Sequence, residues 1–163
     1  MSRTAIENML YLLDQAFEGH DEHALLVNLA SVSEEQWLWQ PPGGVRTIAQ
    51  IAEHVGDCKF MYANHGFADG TMTWDDFSGR WKDLPPKDEM IDWLKEGQAA
   101  FRGQVAALEN DYELMTPRKA PWGQEYETRW LIGAMIEHDL YHAGEINHIR
   151  ALAQSNDSWP NYD

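Results

Sequence analysis

The stretch Glu137–Leu152, EHDLYHAGEINHIRAL, decides the fold. His138 and His142 are four residues apart, so on a helix they lie on one face, a single turn from each other. At roughly 100° per residue they fall on one apolar stripe, which contains Leu131, Met135, Ile146 and Ile149. The pattern therefore predicts a long helix from about Thr128 to Gln154 that carries two imidazoles on its core-facing side.

Two imidazoles on the apolar face of a helix require a partner. Burying neighbouring rings without hydrogen bonds is costly, and two charged rings would repel each other. A divalent metal ion meets both requirements, because each neutral ring donates a lone pair to it. The alternative is a pair of hydrogen-bonded histidines in the core or at the surface. The apolar residues around His138 and His142 favour the metal-ligand interpretation.

Three further helices are predicted upstream. The first runs from Thr4 to about Ala30, because apolar residues recur at spacings of four and three, with His20 where an apolar residue would be expected. The second starts at Thr47, which forms a capping-box pattern with Gln50. The third runs from Lys87 to about Leu114 and also has an apolar face.

Long segments without periodicity connect these helices. Residues 66–86 end in two prolines, and such a long connection in a compact domain is usually functional or required by the topology. Residues 116–127 form a second loop, and residues 155–163 have the composition of a tail. No pattern of alternating apolar residues indicates a strand. The sequence predicts one all-α domain, residues 1–163, folded as a four-helix bundle.

A third metal ligand is expected from a helix that faces the last one. His54 is the best candidate, because it borders the apolar stripe of the second helix. It could instead be a half-exposed histidine bonded to a neighbour. The competing candidates are His65, His20 and Cys58, whereas His148 and His23 are expected to be exposed.

Two segments resemble a known family. The pattern HxxxHxGxI followed by Arg-Ala-Leu is similar to that of the DinB/YfiT-like superfamily, and its matching residues are His138, His142, Gly144, Ile146 and Arg150–Leu152. The segment Thr47–His54 looks like that family's helix 2 histidine segment. The resemblance in helix order and spacing extends over most of the chain, but only these two segments are specific.

The resemblance implies a fold and a metal site. The family fold is a four-helix bundle with a long crossover between helices 2 and 3, which residues 66–86 fit. The three matching histidines, His54, His138 and His142, would bind one divalent ion, commonly zinc or nickel. Iron, manganese and copper are further options, because imidazole suits several transition metals. Relatives include S-transferases and isomerases that use low-molecular-weight thiols.

The chain departs from the commonest family pattern at two positions. Ala143 stands where an arginine is frequent, and Glu145 stands where a glutamine is frequent. An acid at this position would be a fourth ligand, a partner that orients a ligand, or a general base. The departures leave the predicted fold intact but make it unsafe to transfer any one substrate.

The charge of the chain excludes some partners. With 12 basic and 27 acidic residues, the formal net charge is −15, which would repel nucleic-acid phosphates and anionic lipid. We therefore expect no binding to nucleic acid or membranes. Cys58 is the single cysteine, and the N-terminus lacks a signal pattern, so a cytoplasmic location is predicted. Arg46 and Arg150 are the isolated candidates for holding an acidic substrate.

Three functions compete at this point. The first is a metal-dependent enzyme, either a hydrolase or a thiol S-transferase, that acts on an unknown small molecule. The second is a metal-binding or stress protein without catalysis. The third is an interaction protein that uses Trp74, Trp81 and Trp122, unless these rings only cap the ends of the bundle. The tryptophans and the family resemblance also suggest a homodimer.

Overall fold

The computed structural model describes residues 2–78, 80–81 and 83–159. Its α-helices are α1 Thr4–Asp14, α2 Leu25–Ala30, α3 Glu34–Trp37, α4 Ile48–Phe67, α5 Lys87–Ala106 and α6 Thr128–Gln154, and its strands are β1 Pro117–Lys119 and β2 Glu125–Glu127. The helices α1, α4, α5 and α6 form a four-helix bundle, which confirms the predicted all-α class. No helix in the described ranges is both long and apolar enough to cross a bilayer.

The helices α4 and α5 run parallel, which their long connection makes possible. Near the middle of α4, Gly56 lies against the ring of Trp93, and a side chain at Gly56 would collide with that ring. Phe60 stacks on the same ring with centroids 4.2 Å apart. At the end of α4, Phe67 meets Phe101. The contacts advance along both helices in the same direction, as the resemblance implied.

The helix α6 runs antiparallel to α4 and carries the candidate ligands towards it. Near the start of α4, His54 faces His138, and near its end Gly66 lies against Leu131. The predicted capping box at the start of α4 is confirmed, because the Thr47 hydroxyl accepts from the Gln50 amide and the Gln50 side chain accepts from the Thr47 amide. This cap fixes where α4 begins and therefore which turn presents His54.

The helix α1 completes the bundle by packing antiparallel to α5. Near the start of α1, Arg3 donates a hydrogen bond to the carbonyl of Ala106 at 3.1 Å. At its end, Asp14 accepts two hydrogen bonds from Arg102, at 2.6 and 2.9 Å. These contacts fix α1 against the second half of α5.

The first helix is shorter than the sequence indicated, and the prediction of one helix over Thr4–Ala30 was wrong. α1 passes into a π-helical turn, and α2 begins only at Leu25. The ring of His20 is exposed, and its Nδ1 accepts hydrogen bonds from the amides of Glu22 and His23, both at 3.2 Å. The apolar spacing continued across this break because the residues after it are also buried.

The third helix also ends earlier than predicted, at Ala106 instead of Leu114. The chain continues through a 3-10 turn into the hairpin β1–β2, in which Arg118 lies opposite Tyr126. Each strand has three residues, which is too short to show an alternating pattern. Gly123 supplies the positive φ of +88° in the connecting turn.

The crossover between α4 and α5 packs on the bundle. Phe77, Trp81 and Leu84 contact the core, and Trp37 donates a hydrogen bond to the carbonyl of Pro85 at 3.1 Å. Trp81 is therefore partly buried against the core. The crossover is an ordered cover over α4 and α5 in the residues that the structure describes.

The predicted tail is held in part by α6. Arg150 is fully buried and donates a hydrogen bond to the carbonyl of Ser158 at 3.0 Å, and its guanidinium lies over the ring of Trp159. The remainder of the predicted tail, residues 160–163, lies outside the described residues.

An ion pair lies in the core between α4 and α6. Lys59 and Asp139 are 0% exposed, and their Nζ and Oδ2 atoms are 2.7 Å apart. Lys59 also donates to Oε1 of Gln98 on α5 at 2.8 Å and lies over the ring of Phe17. Gln98 in turn donates to the carbonyl of Leu13 at 3.4 Å. One buried lysine therefore connects three helices of the bundle.

We predict that Lys59→Met destabilises the protein by about 3–5 kcal/mol, because it leaves the buried carboxylate of Asp139 without its cation. The double variant Lys59→Met/Asp139→Leu should recover most of this loss. The exposed Lys95→Met should change the free energy of unfolding by less than about 0.5 kcal/mol. Urea unfolding measures all three, and a Lys59→Met cost as small as that of Lys95→Met would contradict the interpretation.

Candidate metal centre

Three histidines meet where α4 packs against α6. The ring centroid of His54 lies 5.2 Å from the ring centroid of His138 and 5.2 Å from that of His142. The ring centroids of His138 and His142 are 4.4 Å apart. One ring nitrogen from each residue lies within 4.8 Å of the others. His142 is buried, and the other two are partly buried. The three rings are therefore close enough to hold a metal ion, and they are the three that the sequence singled out.

The distance between two of the ring nitrogens suits a shared ion. Nε2 of His54 and Nε2 of His138 are 3.3 Å apart. Two nitrogens bound to one tetrahedral zinc at about 2.0–2.1 Å would lie about 3.3 Å from each other. If Nε2 of His138 binds the ion, Nδ1 carries the proton, and this atom is buried without a hydrogen-bond partner among the described residues. The donor set and its spacing thus fit a divalent ion.

The protonation states of the rings are also those that a metal requires. Burial, with a contribution from His142, lowers the pKa of His54 to about 4 and that of His138 to about 3. Burial also lowers the pKa of His142, against the opposing effect of its hydrogen bond to Glu145. All three rings are therefore neutral near pH 7, and each has a lone pair to donate.

Glu145 is bonded to one of the three rings. Nδ1 of His142 lies 2.8 Å from Oε2 of Glu145. Because a carboxylate only accepts, Nδ1 carries the proton and Nε2 of the same ring keeps the lone pair. A carboxylate behind a ligating histidine fixes the tautomer and the ring orientation of that ligand. Of the three roles considered for Glu145, this contact favours the orienting partner.

Each of the other candidate ligands is a protonated thiol, is hydrogen-bonded to another group, or is exposed to solvent. Cys58 is buried and its Sγ lies 3.7 Å from Nε2 of His54, but burial raises the pKa of its thiol to about 12. His65 donates to the carbonyl of Met72 at 2.7 Å and so holds the crossover. His20, His23 and His148 are exposed, as predicted for the last two.

The triad borders a surface cleft of about 580 Å³ between α6 and the loop before α4. His142 and Glu145 form part of its wall, and Arg46 lines the opposite side. The loop begins with a tight turn, in which the Gly44 amide donates to the carbonyl of Pro41 at 2.8 Å. Two prolines and two glycines occupy positions 41–44, but no pattern in the sequence predicts a cleft there.

The fold and the site together define a four-helix-bundle protein with a candidate three-histidine metal centre. The family model described as the DinB superfamily matches residues 19–146, which include all three histidines. The chain belongs to the DinB superfamily, as the resemblance of its two histidine segments indicated. No protein in the curated set matches the chain.

We predict that Glu145→Gln weakens metal binding by about 10–100-fold, because the neutral amide holds the His142 ring less firmly. Glu137→Gln, an exposed acid on the same helix, is the matched control and should bind as the wild type does. Competition with a chromophoric chelator measures both affinities.

Two results would contradict the orienting role of Glu145. Equal affinities of the two variants would show that the hydrogen bond to His142 is irrelevant to the ion. A complete loss of binding in Glu145→Gln would instead make Glu145 a ligand.

Proposed function

We propose that the chain is a metal-dependent enzyme that acts on a small molecule, with His54, His138 and His142 as the ligands of one divalent ion. The observation that carries this proposal is the position of the triad. It is not sealed in the core but borders a cleft through His142 and Glu145. A site built only for stability usually has a closed ligand shell, whereas a catalytic site keeps an open position.

In this proposal the three histidines hold the ion, and Glu145 accepts a proton. When bound, a divalent ion lowers the pKa of a water or a thiol that binds to it. Glu145 holds His142 through Nδ1, and its other carboxylate oxygen is available to accept a proton from a group in the cleft. Buried Cys58 stays a protonated thiol beside His54 and is not proposed as the nucleophile.

Of the two reactions considered, transfer of a low-molecular-weight thiol is preferred to hydrolysis. The thiol gives its proton to the base, its sulfur forms a bond to an electrophilic carbon, and the leaving group departs with the electron pair of the broken bond. A cytoplasmic location, where thiols are kept reduced, is part of this proposal. Zinc and nickel are the preferred ions, and iron, manganese and copper are alternatives.

A second candidate function rests on an exposed group of aromatic residues. The rings of Tyr62, Tyr126 and Trp130 lie 6.0–6.2 Å from the ring of Trp122, and we call these four residues the aromatic cluster. Trp122 and Trp130 are 53% and 44% exposed, so the cluster could meet a partner or a second copy of the chain. A non-catalytic protein that works through this surface, including a homodimer, is the alternative.

A transfer assay separates these functions. Metal-loaded protein is mixed with glutathione or cysteine and 1-chloro-2,4-dinitrobenzene, and formation of the thioether is followed by absorbance. We expect the rate to exceed that of the metal-free protein and of the variant His138→Ala/His142→Ala, because both lack the ion. Hydrolysis of 4-nitrophenyl acetate by the same samples tests the alternative reaction.

The non-catalytic alternative predicts a different set of results. Metal would bind fully, but neither assay would show a rate above the background. Trp122→Ser/Trp130→Ser would then change the mass measured by light scattering. That combination would refute the enzyme proposal.

A further inference from the structure

The cleft beside the triad has the size of a small-molecule site. Its volume of about 580 Å³ falls within the range typical of ligand pockets, about 300–1,000 Å³. Its walls come from the 41–46 loop and from the last turns of α6. Because His142 and Glu145 belong to the wall, a molecule bound here lies next to the candidate metal centre.

One part of the cleft is apolar and exposed. Val45 and Leu152 line it and are 86% and 48% exposed, and Ile149 adds a buried apolar surface between them. Covering these side chains with a ligand is favourable, because it removes apolar surface from water. The cleft is therefore suited to the hydrocarbon part of a ligand.

Arg46 supplies the complementary polar feature. Its side chain lines the cleft, is exposed, and makes no hydrogen bond or ion pair to any residue that the structure describes. Arg46 lines the same cleft as His142 and Glu145, so a group held by Arg46 lies beside the triad. Only the N-cap residue Thr47 separates it from α4, whose N-terminus also favours negative charge.

Arg46 differs from Arg150 in its exposure, and its charge is opposite to the net charge of the chain. Arg150 is fully buried, and its two terminal guanidinium nitrogens donate hydrogen bonds to Ser158 and Asn147. A chain with a net charge of −15 repels anions over most of its surface. A guanidinium with five uncommitted donors beside a cleft is a local exception, and its fork matches the two oxygens of a carboxylate.

We propose that this cleft binds a small molecule that combines an apolar body with one anionic group of the carboxylate type. Arg46 holds the anionic group, and Val45 and Leu152 cover the apolar body. The carboxylate of Glu145 on the opposite wall repels an anion, so the anionic group is held at the loop side, next to Arg46. This inference deepens the proposed function and rests on it for the identity of the ligand as a substrate.

A pair of fluorescent probes tests the charge requirement directly. 8-Anilinonaphthalene-1-sulfonate has an apolar body and one anionic group, and N-phenyl-1-naphthylamine has a similar body without the charge. We expect the anionic probe to bind metal-loaded wild-type protein, and Arg46→Gln to raise its dissociation constant by about five- to tenfold, since a charge-assisted contact is lost. Binding of the neutral probe should be unchanged.

The matched control addresses the other exposed apolar surface. Arg129 is an exposed arginine that neighbours Trp130 in the aromatic cluster and is paired with Glu127. Arg129→Gln should leave the anionic probe's dissociation constant unchanged if the probe binds in the cleft. Hexanoate should displace the probe from the wild type better than 1-hexanol does, and this difference should disappear in Arg46→Gln.

Several results would overturn the inference. They are no binding of the anionic probe to the wild type, equal affinity in Arg46→Gln, and a loss that occurs in Arg129→Gln instead. Metal content is measured on the same samples. Stoichiometric metal with any of these results refutes only the anion site, whereas an absence of metal refutes the proposed function.

Discussion

The fold depends on burying polar side chains in matched sets where α4 packs against α6. Lys59 and Asp139 are both fully buried and 2.7 Å apart, and the histidine cluster lies in the same interface. An unpaired charge or imidazole in this position would be costly. A shift of α6 along α4 by one turn would separate the ion pair and the histidines together, so the two sets specify the same register.

This register connects the core to the site. The capping box at Thr47 fixes the start of α4, and with it the turn that carries His54. Asp139 adjoins His138 in the sequence, so the contact that anchors α6 in the core also sets the position of a candidate ligand. On the solvent side, Glu145 holds the His142 ring, and Arg46 lies across the cleft. The candidate metal centre is therefore supported from the core and borders the cleft on the loop side.

The sequence predicted the parts of the fold that local patterns determine. The long α6 followed from one apolar stripe, and the start of α4 followed from its capping box, because both signals lie within a few turns of one helix. The break in the first helix was missed because its apolar spacing continues on both sides of His20. The three-residue strands were missed because they are too short to have a detectable period.

In the candidate site, too, some residues could be predicted from local patterns and others could not. His138 and His142 could be predicted because a spacing of four residues puts both on one helix face. His54 required a second helix to be placed opposite, for which the family resemblance supplied the topology. The pairing of Lys59 with Asp139 joins residues 80 positions apart, and no local pattern indicates it. Likewise, Arg46 and Arg150 were equivalent candidates in the sequence, and only the structure shows that one is buried and the other lines the cleft.

The most direct test of the account is X-ray diffraction from crystals of the metal-loaded protein, with data on both sides of the zinc and nickel absorption edges. The account predicts one anomalous peak per chain, about 2.0–2.1 Å from a ring nitrogen of each of His54, His138 and His142. A peak at another position, such as the stacked and exposed rings of His20 and His23, with none at the triad, would contradict it.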